Sequence, residues 1–411
     1  MTRLAMPQLV SYGLLGLPLA MVALPIYVYL PQFYAERTGL SLTLIGAALL
    51  AARVGAAFLD PLLGWWIERG RGAFARFAGA GSPLLLAGFV ALFHPPALQG
   101  GAALAWFLGT LMLAYLGFGL VTIAHQSWGA ALTQAPAERA RVTGVREAFA
   151  LAGVVLAAVV TGAAGYDALS LAFALALGAG MLLLLASAPR PVMAPEAASL
   201  PDLRAIAAPF ARRRFRALFA VLIVNGVASA IPATLFLFFA SDRLQLASAA
   251  GLFLIVYFVA AACSMAPWVA IARRVGEARA WAGGMLVSAL VFVWAFALGP
   301  GDALAFGAIC MLSGFALGAD LALPPALLAG VIASEGDAGR REATYFGIWN
   351  WGVQITLALA AGISLPLLDA LGYVPGSGAG TGALAAAYAI LPCVLKLLAA
   401  AMLWRAPLRD C

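Results

Sequence analysis

The sequence predicts an all-α membrane protein of twelve transmembrane helices in two six-helix bundles, with both termini in the cytoplasm. Three observations carry that prediction. Of 411 residues, 64% are hydrophobic and only 10% charged, with a mean hydropathy of +1.00, where an ordinary soluble domain carries about 25% charged residues. Apolar runs of roughly 20 residues, long enough to cross about 30 Å of hydrocarbon, recur twelve times along the chain. The arginines fall in short clusters between those runs, almost all on one side.

The runs lie at 10–30, 42–67, 77–94, 102–124, 142–164, 168–188, 215–240, 247–271, 280–298, 303–332, 343–370 and 382–404. The first imitates a secretory signal, with Arg3 ahead of an apolar stretch. It contains Pro18 and Pro25 and leads straight into another apolar segment, so it is read as the first span. Inside hydrocarbon every backbone polar group must be satisfied internally, and the alternating ten-residue pattern of barrel strands is absent, so the spans are helices. The 44 glycines fit close helix packing in lipid.

Orientation follows from the arginines. With the N-terminus inside, nineteen of them lie on cytoplasmic segments and only Arg37 and Arg243 on the other side. The longest polar connection, rich in Pro and Arg, divides the chain into an N-terminal bundle (1–188), a cytoplasmic linker (189–214) and a C-terminal bundle (215–411). A faint internal echo, DPLLGWWIERG in the first half and APWVAIARRVG in the second, supports duplication. Two such bundles suggest a solute site near the bilayer midplane.

Several function classes are excluded. No GxxxxGK[ST] sequence exists to power an ATP pump, and no HExxH motif, Cys/His cluster or nucleophile constellation suggests a catalytic site. Cys263, Cys310, Cys393 and Cys411 show no CxxC pairing, so neither a disulfide framework nor a metal site is expected. The net charge of +7 is explained by topology rather than by a nucleic-acid partner.

The stretch GLSLTLIGAALLAARVGAAFLDPLLGWWIERGRGAFARF, with GADLALPPALLAG and GRREATYFGIWNWGVQITLALAAG in the second half, resembles the glycoside-pentoside-hexuronide:cation symporters. These form the melibiose-carrier branch of the major facilitator superfamily. The resemblance runs in order along nearly the whole chain and implies the major facilitator fold, the cytoplasmic (inner) membrane and solute transport, often driven by Na⁺ or H⁺. In cation-coupled sugar carriers of that family, two aspartates one turn apart on the second helix help hold the ion; here those positions are Ala56 and Asp60. The sugar-binding Lys-Asp pair of the first helix aligns with Pro18 and Leu19, and the aspartate of the fourth with Ala124. The lysine of the eleventh aligns with Gln354, and acidic positions late in the tenth with Gly330 and Ala333. Trp128 and Arg146 match the family's sugar-site tryptophan and arginine. The resemblance therefore implies the fold, while the sugar specificity hardly transfers.

The residues give an independent reading. Arg53 and Asp60 are seven apart, nearly on one helix face. A charge at the centre of a span costs about 2.5 to 3.5 kcal/mol on insertion scales, so Asp60, with Arg53, is expected to couple a cation or proton, or else to pair structurally with Arg53 or cap neighbouring helices. A lone carboxylate suits a proton better than sodium. His125 and Trp128, with Gln126 beside them, present an imidazole and an indole to a substrate or pack between helices. Arg146 and Glu147 are a cavity pair or a pair at the cytoplasmic helix end. Trp349, Asn350 and Gln354 line the cavity from the eleventh span or act as interhelical glue worth about 1 kcal/mol, and Asn225 is a weaker candidate of that kind. Asp320 precedes Pro324 and Pro325, which are expected to interrupt their helix. Lys396, the chain's single lysine, is expected to snorkel to the interface.

Two charged clusters, Glu68, Arg69, Arg71 and Arg76 after the second span and Glu138, Arg139 and Arg141 after the fourth, are expected to gate the cytoplasmic end; simple positive-inside retention explains their arginines but not their acids. The expected function is secondary active transport of a small organic solute, sugar- or glycoside-like, by alternating access and as proton-coupled symport. The partners expected are that solute, the coupling cation and the lipid bilayer. No cofactor is expected, and the chain is read as a monomer. Two alternatives stay open: a uniporter or carrier of an amphipathic, lipid-like molecule, and a non-transporting receptor or assembly factor on the same fold.

Overall fold

The computed structural model describes residues 4–23, 25–38, 40, 42–70, 73–133, 135–190, 203–373 and 378–408. Arg71 and residues 191–202 of the expected linker lie outside the described residues. Every regular element among the described residues is helical, and ten helices are long and apolar enough to cross a membrane.

The expected first span is not one helix. The chain forms α1 (Met6–Gly13), α2 (Gly16–Met21), a π-helical turn at Pro25–Tyr29 and α3 (Leu30–Thr38). Pro25 has no amide hydrogen to give the Met21 carbonyl, and the wider turn reconnects the chain. Next come α4 (Leu42–Arg69), α5 (Phe74–Phe93) and α6 (Gly100–Ala131). The 52-residue α7 (Pro136–Ser187) is two helices joined at Gly165, whose φ of +77° and ψ of −168° only glycine adopts without strain. That break coincides with the gap expected between the fifth and sixth spans.

Contacts divide the chain into two compact units, Met1–Pro209 with Ile332–Trp351, and Phe210–Val331 with Gly352–Cys411. In the first, glycines bring backbones together. A Cβ on Gly81 would lie 2.9 Å from the Leu120 Cβ, and Gly88 and Gly117 sit directly on the backbones of Ala114 and Leu85. These contacts close α5 against α6. Gly13 and Gly16 do the same for α1 and α2 against Val145 and Arg146 of α7.

The second unit contains α8 (Arg213–Phe238), α9 (Ala250–Val275), α10 (Glu277–Phe292), most of α11 (Ala303–Ser334), the later part of α12 (Glu342–Ala370), α13 (Thr381–Ala385) and α14 (Leu391–Arg405). Its core is aromatic: the Phe239 and Tyr388 rings stack at 4.0 Å, and Phe253 meets Phe306 edge-on at 4.9 Å. Large apolar side chains also face outward in both units, among them Leu182, Leu290, Trp294 and Leu304, the last 93% exposed. Water would penalise each by about 1.5 to 3 kcal/mol relative to burial; lipid does not.

One expectation about α11 needs correction. Pro324 and Pro325 do not interrupt it; the helix is continuous from Ala303 to Ser334. Proline's fixed φ is compatible with helical geometry, and dense packing on both sides holds the helix across the two missing hydrogen bonds.

Candidate functional site

Asp60 sits two-thirds of the way along α4, where two glycines let neighbouring helices close in. A Cβ on Gly119 of α6 would lie 3.1 Å from Asp60 Oδ1 and 2.8 Å from Leu63 Cδ1. On another side, a Cβ on Gly347 of α12 would lie 2.6 Å from the Asp60 carbonyl oxygen and 3.1 Å from the Gly64 Cα. The side chain is thus 9% exposed among three helices. No hydrogen-bond donor reaches its carboxylate among the described residues, and Arg53 is not ion-paired to it. Seven helical residues separate the two by about 10 Å along the axis, so sharing a face does not bring them into contact.

Gln126 lies two turns beyond Gly119 on the same face of α6, and Asn350 one turn beyond Gly347 on α12. Helical side chains lean toward the N-terminus of their own helix, which brings these two together: Asn350 Nδ2 donates to Gln126 Oε1 at 3.1 Å. The same three helices thus carry Asp60 and, about 10 Å further along α6, the Gln126–Asn350 pair. Trp349, beside them, is buried. Gln354 belongs to the second unit and is half-buried.

His125 and Trp128 face the other way. His125 is fully buried; its Nε2 meets the Tyr12 carbonyl at 2.9 Å, the Tyr12 hydroxyl donates to the His125 carbonyl at 3.0 Å, and the rings lie 4.4 Å apart. Gly129, one turn on, leaves the space that the Tyr12 hydroxyl fills. Trp128 Nε1 donates to the Pro189 carbonyl at 2.9 Å. Arg146, 5% exposed, pairs with the adjacent Glu147 and stands beside Tyr12. These four expected site residues hold α6 and α7 to α1 and to the end of α7. Tyr12, the hub of the arrangement, was not singled out from sequence, where a tyrosine in an apolar span carries no signal.

At the C-terminal end of α4, eight residues beyond Asp60, Glu68 is buried and accepts a hydrogen bond from the Thr344 amide at 3.2 Å. Thr344 lies in the first turn of α12, preceded by a turn in which Glu342 caps the Gly339 amide and Asp337 accepts from the Tyr345 hydroxyl at 2.8 Å. Arg69 stands over the Trp65 ring at 4.8 Å, and Arg76 is exposed. Glu138 and Arg141 form a two-pronged pair at 2.7 and 2.8 Å that also binds the backbone of Leu4, while Arg139 is buried.

A second polar cluster, inside the other unit, corrects the expectation for Lys396. That side chain does not snorkel. It is buried and its Nζ pairs with Asp320 Oδ2. Asp320 Oδ1 accepts from Trp281 Nε1 at 2.7 Å and from Asn225 Nδ2 at 3.2 Å. Because α14 packs against α8 and α10, its lysine points into protein rather than along lipid. Asn225 Oδ1 has no hydrogen-bond partner among the described residues.

Residues 11–410 match the family described as MFS/sugar transport protein. The chain belongs to this family. An uncharacterized symporter of Bacillus subtilis, YjmB, is 26% identical over 137 residues, 32% of this chain and 30% of that protein. A putative glycoside/cation symporter of Escherichia coli, YagG, is 28% identical over 160 residues, 37% of this chain and 34% of that protein. Each match spans about a third of the relative. Among solved structures, a bacterial homologue of the iron transporter ferroportin in its outward-facing state superposes with a TM-score of 0.73 at 17% identity, covering 97% of this chain and 98% of that one. The E. coli fucose:proton symporter FucP gives 0.67 at 14% identity, with 93% and 98% covered, and the human organic anion transporter MFSD10 gives 0.69 at 17%, with 97% and 100% covered. These likenesses establish the major facilitator fold. This MFS/sugar transport family member is a multi-pass membrane protein of a transporter family, not of an enzyme family, as the resemblance to cation symporters implied.

Proposed function

We propose that this family member is a proton-coupled symporter of a small organic solute, sugar- or glycoside-like, acting by alternating access in the cytoplasmic membrane. One observation carries the reading: Asp60 is buried on a transmembrane helix and, among the described residues, no hydrogen-bond donor meets its carboxylate, and such a carboxylate must take up a cation to be accommodated there. Asp320, with its ammonium, indole and amide partners, has no such need. A single carboxylate without a cage of further acidic oxygens favours the proton over sodium. The descriptions of YagG as a glycoside/cation symporter and of FucP as a fucose:proton symporter support the class of reaction.

Gln126 and Asn350 are the proposed solute contacts, with Trp349 and Gln354 nearby in sequence. Both amides pair with each other, so a hydroxylated solute replaces one hydrogen bond by two. His125, Trp128, Arg146 and Glu147 support them from the far side of α6. Glu68 with Thr344 is the proposed cytoplasmic latch, with Arg69 and Arg76 beside it; Glu138, Arg139 and Arg141 tether the N-terminal segment. Twelve spans in bundles 1–188 and 215–411, joined by the linker 189–214 and working as a monomer with both termini cytoplasmic, complete the reading.

A thermal-stability screen of the purified protein against sugars, glycosides and organic acids identifies the solute. Proteoliposome uptake of that solute under an imposed pH gradient then tests the coupling. Accumulation is expected in the wild type and only equilibration in Asp60→Asn; equal accumulation by both removes Asp60 as the coupling site.

A further inference from the structure

We infer that the Asp320 cluster of the second unit is a monovalent-cation site whose resident cation is the tethered ammonium of Lys396. The inference stands apart from the role proposed for Asp60, and its test reads stability rather than transport.

The cluster draws on four helices. Asp320 of α11 gives one carboxylate oxygen to Lys396 of α14 and the other to Trp281 of α10 and Asn225 of α8. A carboxylate offers no donor to an amide oxygen, so Asn225 must turn its NH₂ toward Asp320, which fixes the amide orientation. Its Oδ1, on the same small group, is buried and meets no donor. A third oxygen is freed by the sequence: Pro324 has no amide hydrogen for the carbonyl of Asp320, four residues earlier in the same helix. The carboxylate balances a single positive charge, and the Asn225 amide oxygen, to which the tethered ammonium is not hydrogen-bonded, is left for a cation that is free to move. Among the described residues no group of three or more His, Cys, Asp or Glu assembles, so the donors here do not suit a divalent metal.

The occupant fits that chemistry. Of 24 Lys and Arg residues, Lys396 alone is a lysine. Arginine's guanidinium is a broad planar fork, whereas the lysine ammonium is a compact point charge that resembles a small free cation. A chain that uses arginine at every other basic position places its one ammonium where a compact monovalent charge is required.

Removing the tether must therefore leave a site that takes up a free cation. Full-length Lys396→Ala, purified in detergent, is heated in sodium, methylammonium or choline chloride at equal ionic strength. The melting temperature is expected to rise by several degrees in sodium or methylammonium relative to choline, which is too bulky to enter. The wild type and Asp320→Asn/Lys396→Ala are expected to melt alike in all three salts. Lys396→Gln, which keeps most of the stem, is read the same way if the alanine variant fails to fold in choline, and folding of either variant only with a small cation supports the assignment. Insensitivity of the single variants to both small cations, an equal response from the double variant, or failure of every Lys396 variant in all three salts overturns it.

Discussion

The carboxylate of Glu68, near the end of α4, accepts a hydrogen bond from the backbone amide of Thr344, 276 positions later in the chain, at 3.2 Å. Thr344 belongs to the first turn of α12, whose amides have no intrahelical partners and carry the positive end of the helix dipole. An anion placed there contributes about 1 kcal/mol, up to about 2 kcal/mol when partly buried. Glu68→Gln keeps the shape and removes the charge. It is expected to loosen this contact by about 1 kcal/mol and so to raise the rate at which a thiol reagent reaches Thr344→Cys about fivefold. Unchanged labelling would show that the contact holds nothing shut.

The approach of α4 to α12 at Asp60 depends on glycine. A methyl group at Gly347 would lie 2.6 Å from the Asp60 carbonyl, so Gly347→Ala is expected to cost about 1 to 3 kcal/mol through overpacking and to depress uptake. Gly109 of α6 has nothing within 4 Å of a built Cβ. Gly109→Ala should leave the melting temperature unchanged or raise it, since alanine favours a helix over glycine by roughly 1 kcal/mol. Equal melting temperatures for the two variants would contradict the close contact.

If the Gln126–Asn350 pair receives the solute, Asn350→Ala should raise the half-saturating solute concentration about tenfold, or about 1.4 kcal/mol, with little change in melting temperature. Because the two amides share one hydrogen bond, Gln126→Ala/Asn350→Ala should be little worse than either single variant. Strictly additive losses would place the two amides at separate tasks.

Much of the fold was legible from hydropathy alone. The run at 102–124 lies inside α6, and the gap after 164 coincides with the bend at Gly165. The helices extend past the apolar runs because hydropathy marks the hydrocarbon crossing and not the hydrogen-bonded ends. The breaks within the first span were not legible because Pro25 acts on a carbonyl four residues back, a local effect that an averaged window conceals.

The site was legible in part. Residue type alone pointed to Asp60, Gln126 and Asn350, since polar groups in a span need a reason. Which way each side chain turned was not, because a helix that is apolar all round gives no periodic mark of its inner face. That is why His125 and Trp128 were grouped with Gln126 although they point toward α1 and the end of α7, and why Lys396 was sent to the interface when Asp320 lay within reach.

The most direct measurement is of the proton itself. Adding solute to lightly buffered proteoliposomes, with no gradient imposed, should alkalinise the external medium as each inward-moving solute carries a proton, and Asp60→Asn should abolish that signal while still binding the solute. Solute entry without alkalinisation in the wild type, or alkalinisation that persists in Asp60→Asn, would contradict proton coupling at Asp60.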